Sequence, residues 1–233
     1  MTYAEIVSNA RFITGAAVAD WSAAQITLSI NNWYQKVVTM ILAAQDEWDW
    51  DDVNHTTYPI FTLDLVANQQ DYQIPASLKM LKIKRVEAKL DGTNWVRATP
   101  IDINQISDAT DTTSISNNFS TSEPFYDVKY NGIFLYPIPA VNVDEGLKYE
   151  ITREVDEFTT SDTTQEPGID EPFHNMISLG AALDWEMAKK PDGPRIKILM
   201  AQMQEYEQRL KQYYGDKQTD RNIVLKAASV NYD

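Results

Sequence analysis

The densest group of potential metal ligands lies at residues 46–55, where five carboxylates and one histidine fall within ten positions. Carboxylate oxygens suit Mg²⁺ or Ca²⁺, and an imidazole suits transition metals. An EF-hand loop beginning at Asp49 would need glycine at its sixth position and glutamate at its twelfth, where the chain has Asn54 and Ile60. We therefore interpret the segment as solvated acids around packed tryptophans, with metal binding as an alternative, and predict no cofactor.

Two other groups of side chains have the types that catalysis uses. His174 stands at the start of a predicted helix, and a single histidine does not identify the nucleophile or acid that a reaction would also need. We predict that it is a partly buried structural histidine. The acids at residues 154–171 could supply the carboxylate pair of a glycoside hydrolase. Because they lie among Thr and Ser residues, we interpret them as a solvated acidic face.

Several classes of site are missing from the sequence. The chain contains no cysteine, so thiol catalysis, disulfide bonds and cysteine-ligated metal sites are excluded. It also contains no glycine-rich phosphate loop, zinc-protease motif or nucleophile elbow. No apolar run reaches the roughly 18 residues of a membrane span, and the first residues lack the basic start of a signal peptide. We therefore predict a soluble, unexported protein that does not contact a membrane.

The charge balance bears on nucleic-acid binding. The formal net charge is −14 and the isoelectric point is about 4.5. These values argue against tight binding of DNA through its phosphates, but not against passage of DNA along the protein. One basic cluster surrounds Trp95, and we interpret it as a contact for the acidic face of another subunit. The cluster consists of Lys79, Lys82, Lys84, Arg85, Lys89 and Arg97. Six Trp and twelve Tyr also favour wide protein interfaces.

Helical periodicity occurs at the two ends of the chain. A capping box formed by Thr2 and Glu5 predicts a short first helix that ends near Gly15. Apolar residues at helical spacing predict a long helix over residues 22–45. Residues 172–214 predict a helical hairpin, broken once by a Pro-Asp-Gly-Pro turn, whose second arm carries one apolar stripe. The stripe consists of Ile196, Leu199, Met203, Tyr206, Leu210 and Tyr213.

Between the helices the apolar period changes to two, which predicts β structure. Two hairpins are predicted, at residues 81–97 and 126–136, the first with a bulge at Lys84 and Arg85. Single strands are predicted at residues 58–65 and 147–152, and a long loop at residues 107–123. About five or six strands are enough for a small sandwich or barrel.

Together these patterns predict an α+β fold made of a helical bundle with an inserted antiparallel β module, a small sandwich or barrel. The predicted domains are the bundle at residues 1–50 and 170–214, the β module at residues 51–169 and an extended C-terminal arm at residues 215–233. Apolar residues on a polar segment of the arm indicate either a site that binds a neighbouring chain or a frayed tail. The predicted partner-binding residues are Ile223, Val224, Leu225 and Tyr232.

Four segments, in order, resemble the head-to-tail adaptor proteins of tailed bacteriophages. They read WDWDDVNHTTYPI at residues 48–60, QQDYQIP at 69–75, IFLYPIP at 133–139 and FTTSDTTQEPG at 158–168. The similarity covers most of the chain. It implies a structural virion protein without catalytic residues, assembled as a ring of usually about twelve copies beneath the portal and around the DNA exit channel.

The resemblance also implies roles for the parts of the chain. The ring would seal the head-tail junction and let DNA pass, the C-terminal arm would dock on the portal, and the β module would face the tail or the next ring protein. The protein is then expected in the virion, and in the host cytoplasm during assembly. We add the hypothesis that acids from residues 154–171, among them Glu154, Asp156 and Glu157, or from residues 46–52 line the DNA channel, where carboxylates repel phosphate. The alternative is a virion-associated carbohydrate-binding or hydrolytic β-module protein, which needs exposed tryptophans or a carboxylate pair.

Overall fold

The chain forms two compact units, one helical and one built of β-strands. The structure is a computed structural model, and it describes residues 1–45, 60–102, 118–130 and 132–216. The helical unit comprises residues 1–48 and 157–233, and the β unit comprises residues 49–156. Because the β-strands are inserted between two pairs of helices, the predicted α+β fold with an inserted β module is confirmed.

Four helices form the described part of the helical unit. They are α1 (Tyr3–Thr14), α2 (Ala23–Gln45), α3 (His174–Lys189) and α4 (Pro194–Asp216). The capping box predicted for α1 is present, because Thr2 and Glu5 each accept a hydrogen bond from the other's backbone N–H. Ser22 and Gln25 form a second box before α2. Gly15 ends α1 at a φ of 68°, a conformation that glycine adopts without strain.

The bundle core is built on the apolar face of α2. Its buried residues are Ile26, Ile30, Trp33, Tyr34, Val37, Val38 and Ile41. The Trp33 indole lies directly against Gly180 of α3, where an added Cβ atom would overlap the ring. Trp33 Nε1 donates to Asp184 Oδ2 at 2.8 Å, and Ser29 Oγ donates to the same oxygen at 3.1 Å. The ring is thus fixed by a hydrogen bond on one side and by a glycine on the other.

The apolar stripe of α4 follows the prediction except at its end. Three of its residues are buried as predicted, namely Leu199, Met203 and Leu210. The last buried position is Tyr214, whereas the predicted Tyr213 is 44% exposed. Tyr214 occupies the core, where its hydroxyl accepts a hydrogen bond from the Asp170 amide at 3.3 Å, whereas the Phe173 ring contacts both tyrosines. Asp170 lies outside α4, so the helical period alone does not reveal this hydrogen bond.

Residues 157–169 lie in the helical unit, whereas the division made from sequence assigned them to the β module. The Asn31 side chain explains this placement. It donates to the Phe158 carbonyl oxygen and accepts from the Phe158 amide, each at 2.9 Å. The Phe158 ring also stacks on Tyr3 and Tyr34. The buried Asn31 side chain therefore satisfies the backbone N–H and carbonyl groups of Phe158 and holds this residue against α2.

The β unit is one continuous, nearly closed sheet of seven strands within the described residues. The strands are β1 (Ile60–Leu65), β2 (Asp71–Gln73), β3 (Met80–Ala88), β4 (Val96–Pro100), β5 (Phe125–Lys129), β6 (Gly132–Tyr136) and β7 (Val143–Arg153). Their order in the sheet is β1-β7-β3-β4-β5-β6-β2. All neighbours are antiparallel except β4 and β5, which are parallel. The three residues of β2 are too few for a periodic signal, so the sequence did not predict this strand.

Apolar side chains that alternate with polar ones along the strands fill the β core. Inward-facing residues of β3 and β7 are buried, and they include Val86, Ala88, Leu147, Tyr149 and Ile151. The predicted bulge is confirmed, because the register of β3 against β7 shifts between Ile83 and Arg85. The hairpin turn before β4 is closed by Asp91, whose carboxylate accepts from the amides of Thr93 and Asn94 at 2.8 Å each.

Candidate functional site

The three acids predicted to line a channel have different surroundings. Glu154 is exposed to solvent. Asp156 is half-buried, with its Oδ2 atom 3.8 Å from Arg153 Nη2. Glu157 is exposed, and its Oε1 atom accepts from Gln35 Nε2 at 2.6 Å. The two exposed carboxylates present unneutralised negative charge, while the Asp156 charge is partly offset by an arginine.

Part of the predicted basic cluster lies on the outward face of β3, where an acid already pairs with it. Glu87 forms ion pairs with Arg85 and with Lys148, the latter at 2.8 Å, and lies opposite Arg97 in the β3–β4 ladder. The hydrogen bond from Lys148 holds the pKa of the Glu87 carboxyl below its usual range. This face is therefore a surface of mixed charge, not a continuous basic groove.

Trp95 stands at the edge of the same face and is 38% exposed. The ammonium groups of Lys89 and Lys148 lie 4.6 and 4.3 Å from its ring centroid. Both distances are within the range of cation–π attraction. A sugar binds a tryptophan by stacking on a free ring face, and here two lysines compete for the ring. Trp95 therefore gives the carbohydrate-binding alternative no support.

His174 is buried in the helical unit, as predicted for a structural histidine. Its Nε2 atom donates to the Ile169 carbonyl oxygen at 2.8 Å, and its Nδ1 atom lies 2.6 Å from the amino nitrogen of Met1. Burial lowers the pKa of the imidazole from its ordinary value. Since both ring nitrogens are engaged, the geometry favours a packing role over proton transfer.

The α3–α4 turn carries a basic and apolar surface that helical periodicity did not indicate. Three apolar side chains beside the turn are more than half exposed, and two lysines beside them are exposed as well. We call this set the tip surface, and it consists of Met187, Lys190, Lys197, Ile198 and Met200. Between residues 187 and 200 the chain has four basic residues against one acid, Asp192.

The turn that bears the tip surface is anchored to α1. Arg195 donates to the carbonyl oxygens of Ile13 and Thr14 at 3.1 Å each, and its charge opposes the dipole at the C-terminus of α1. Glu186 is 1% exposed and its Oε1 atom lies 3.6 Å from Arg195 Nη1. Because Glu186 offsets the charge of Arg195, the lysines carry the positive charge that the tip surface presents.

A second surface feature is a groove of about 840 Å³ beside α1. We call it the acidic groove, and its lining consists of Met1, Thr2, Glu5, Ser8, Asn9, Phe12, Glu166 and Glu171. The described lining contains three carboxylates and one cation, the Met1 ammonium, with no lysine or arginine side chain. Phe12 in its lining is 86% exposed, the largest exposure among the large apolar side chains of the described helical unit. Sequence patterns did not reveal the groove because distant segments form it.

Some predicted sites fall outside the described residues. These include the acidic segment at residues 46–55 and the arm residues Ile223, Val224, Leu225 and Tyr232. Within residues 1–45, 60–102, 118–130 and 132–216, no group of three or more His, Asp or Glu side chains is arranged to hold a metal ion. None of the described helices combines the length and apolar character needed to cross a membrane.

Comparison with known proteins identifies the family. No curated protein matches the chain. The family described as SU10 adaptor protein matches residues 1–229. The match takes in both structural units and all four segments that resemble head-to-tail adaptors, and it confirms that resemblance. The chain therefore belongs to the SU10 adaptor protein family, a family of structural adaptors of the phage virion.

Proposed function

We propose that this protein assembles as a ring of about twelve copies between the portal and the tail, where it seals the head-tail junction and lets DNA pass. The family match over residues 1–229 carries the proposal, because it spans both units and most of the C-terminal segment. The partners are further copies of the chain, the portal protein, and the tail or the next ring protein. The ring belongs to the connector of the virion and forms in the host cytoplasm during assembly.

Exposed apolar side chains in the helical unit support assembly into a larger structure. Phe12, Met187 and Ile198 are each more than half exposed and lie on three different helices. Contiguous exposed apolar patches mark surfaces that contact other proteins, and Met187 and Ile198 flank the same turn. A ring subunit needs contacts on two sides, and apolar side chains on several helices meet that need.

The charge of the chain supports DNA passage without DNA binding. A net charge of −14 repels phosphate, so a channel walled by this protein would not retain the duplex. We assign part of that wall to Glu154, Asp156 and Glu157. Reversing these three charges to lysine should slow DNA ejection from assembled particles, because the wall would then attract phosphate. Particles of the triple variant that package and eject DNA at the normal rate would exclude these acids from the channel.

We further propose that the C-terminal arm docks on the portal through Ile223, Val224, Leu225 and Tyr232. Changing Ile223, Val224 and Leu225 together to serine should weaken portal binding, because three apolar anchors are lost. The matched control changes Ala227 and Ala228 to serine in the same arm. Equal portal affinity of the triple variant and the control would argue against an anchoring role.

Native mass spectrometry of the purified chain, with and without its portal, tests the proposal as a whole. The expected result is a closed ring, or a complex with the portal that contains a fixed number of copies. A strict monomer that does not bind the portal would reject the ring and the adaptor role together. Measurement at low and moderate salt would show how far charge pairs between copies contribute.

A further inference from the structure

We propose that neighbouring copies in the ring meet through the tip surface of one copy and the acidic groove of the next. This inference rests on the proposed ring and names the surfaces that hold it together. Both surfaces belong to the helical unit, and both are open in the isolated chain. Contact between two different surfaces of identical subunits is heterologous, and such contacts generate rings when the rotation between copies closes.

The tip surface has the composition of an interface that is incomplete in the isolated chain. Met187, Ile198 and Met200 are 52%, 59% and 53% exposed, and they flank the same turn. Leaving three large apolar side chains in water is unfavourable, and burying them against a partner recovers roughly 25 cal/mol per Å² of apolar area. Arg195 fixes the turn against α1, so the surface is preformed and loses little freedom on docking.

The acidic groove complements the tip surface in both charge and shape. Glu5, Glu166 and Glu171 face a space of about 840 Å³, enough for several side chains of a partner. Phe12 offers an exposed aromatic ring beside these carboxylates. A partner that fits this groove must carry basic side chains next to apolar ones. The lysines and methionines of the tip surface combine these two properties.

The charges favour a second copy of this chain as the partner that binds in the acidic groove. Two copies with a net charge of −14 repel one another, so a local pairing of opposite charges favours their association. The tip surface has Lys190 and Lys197, and the groove has Glu166 and Glu171, all four of them exposed. Such complementarity fixes which surfaces meet and raises the rate of encounter.

Charge exchange tests this pairing. The first variant carries Lys190→Glu with Lys197→Glu, the second carries Glu166→Lys with Glu171→Lys, and the third combines all four changes. We expect each double variant to raise the dissociation constant between subunits by about tenfold or more, and the combined variant to recover most of this loss. Native mass spectrometry and sedimentation on the full chain, with the portal present, measure ring formation, and circular dichroism verifies folding.

The matched control for the first variant is Lys36→Glu with Lys211→Glu, which makes the same change in net charge at exposed positions outside both surfaces. Rings that form normally from both double variants would overturn the proposed pairing while leaving the adaptor function intact. Loss of the ring in the control as well would also overturn it, because net charge alone would then explain the effect. Rings of the first variant that form but no longer bind the portal would assign the tip surface to the portal and overturn the proposal.

A second pair of variants tests the apolar part of the contact without changing charge. Phe12→Ser should weaken the ring, whereas Leu28→Ser, at another strongly exposed apolar position, should not. Equal behaviour of these two variants would contradict a specific role for the groove. A wild-type chain that forms no ring even with the portal present would reject both the proposed function and this pairing.

Discussion

The two units of this protein join distant segments in different ways. In the helical unit, buried or half-buried polar side chains link elements that are far apart in sequence, as Asn31 does with Phe158 and Asp184 with Trp33. In the β unit, backbone ladders join the strands, and alternating apolar residues fill the interior. A buried polar link satisfies its partner in one arrangement only, whereas an apolar side chain tolerates small shifts. The helical unit should therefore be the more sensitive of the two to single changes at its links.

The strongest test of this comparison is Gly180→Ala in α3. The new methyl group would overlap the Trp33 ring. A shift of the ring to relieve this overlap would break the hydrogen bond from Trp33 Nε1 to Asp184. We expect a loss of about 3 kcal/mol in the free energy of unfolding, the upper part of the range for overpacked cores. Denaturant unfolding followed by circular dichroism measures it.

The control for this change is Gly215→Ala in α4, where no atom lies within 4 Å of the added methyl group. This substitution should raise the free energy of unfolding by no more than about 1 kcal/mol, because alanine is a better helix former than glycine. Similar losses at the two positions would mean that contact with Trp33 is not the cause.

Asn31→Ala should have the next largest effect. The substitution removes two hydrogen bonds and leaves the buried N–H and carbonyl groups of Phe158 without their partner. We expect the free energy of unfolding to fall by about 2–3 kcal/mol. Asn32→Ala, at the exposed neighbouring position, provides the control and should be neutral or slightly stabilising. If thermal unfolding showed the same midpoint for both variants, the Asn31 link would contribute nothing.

A pair of tyrosine substitutions sharpens the comparison inside the β core. The Tyr72 hydroxyl donates to the Gln69 carbonyl oxygen at 3.0 Å and accepts from the Val66 amide at 3.2 Å. The Tyr149 hydroxyl is buried and has no hydrogen-bond partner among the described residues. Tyr72→Phe should therefore lower the free energy of unfolding by about 1 kcal/mol. Tyr149→Phe should leave it unchanged or raise it by up to about 1 kcal/mol. Equilibrium unfolding in urea distinguishes the two, and a larger loss for Tyr149→Phe would contradict this assignment.

The smallest expected effect is a pH dependence of stability that arises from the turn before β4. Hydrogen bonds from Thr93 and Asn94 lower the pKa of Asp91 from 3.8 to about 2. A carboxyl with a lowered pKa in the folded state stabilises the fold above pH 3.8, and this contribution disappears as the pH falls through about 2. Wild type should thus be slightly more stable than Asp91→Asn at neutral pH, and the difference in melting temperature should shrink across this window. A constant difference from pH 7 to pH 2 would disprove the linkage.

Local signals in the sequence predicted the elements of both units well. The capping box of Thr2 and Glu5, the stripe of α2 and the bulge near Arg85 all depend on residues close together in the chain. The burial of Tyr214 instead of Tyr213 was not predictable, because the hydrogen bond to its hydroxyl comes from Asp170, which lies outside the helix. The same holds for the acidic groove, where Glu5 meets Glu166 and Glu171. The proposals for residues 46–55 and for the C-terminal arm remain predictions.

By itself, the sequence determined the α+β class, the positions of the principal helices and strands, and membership of an adaptor family. Capping, helical period and strand alternation act over a few residues, so they can be recognised in a single chain. Tertiary structure alone decided that residues 157–169 dock on α2 through Asn31, and that the α3–α4 turn is anchored to α1 by Arg195. These contacts depend on how whole elements pack, and no local pattern specifies which distant side chains then meet.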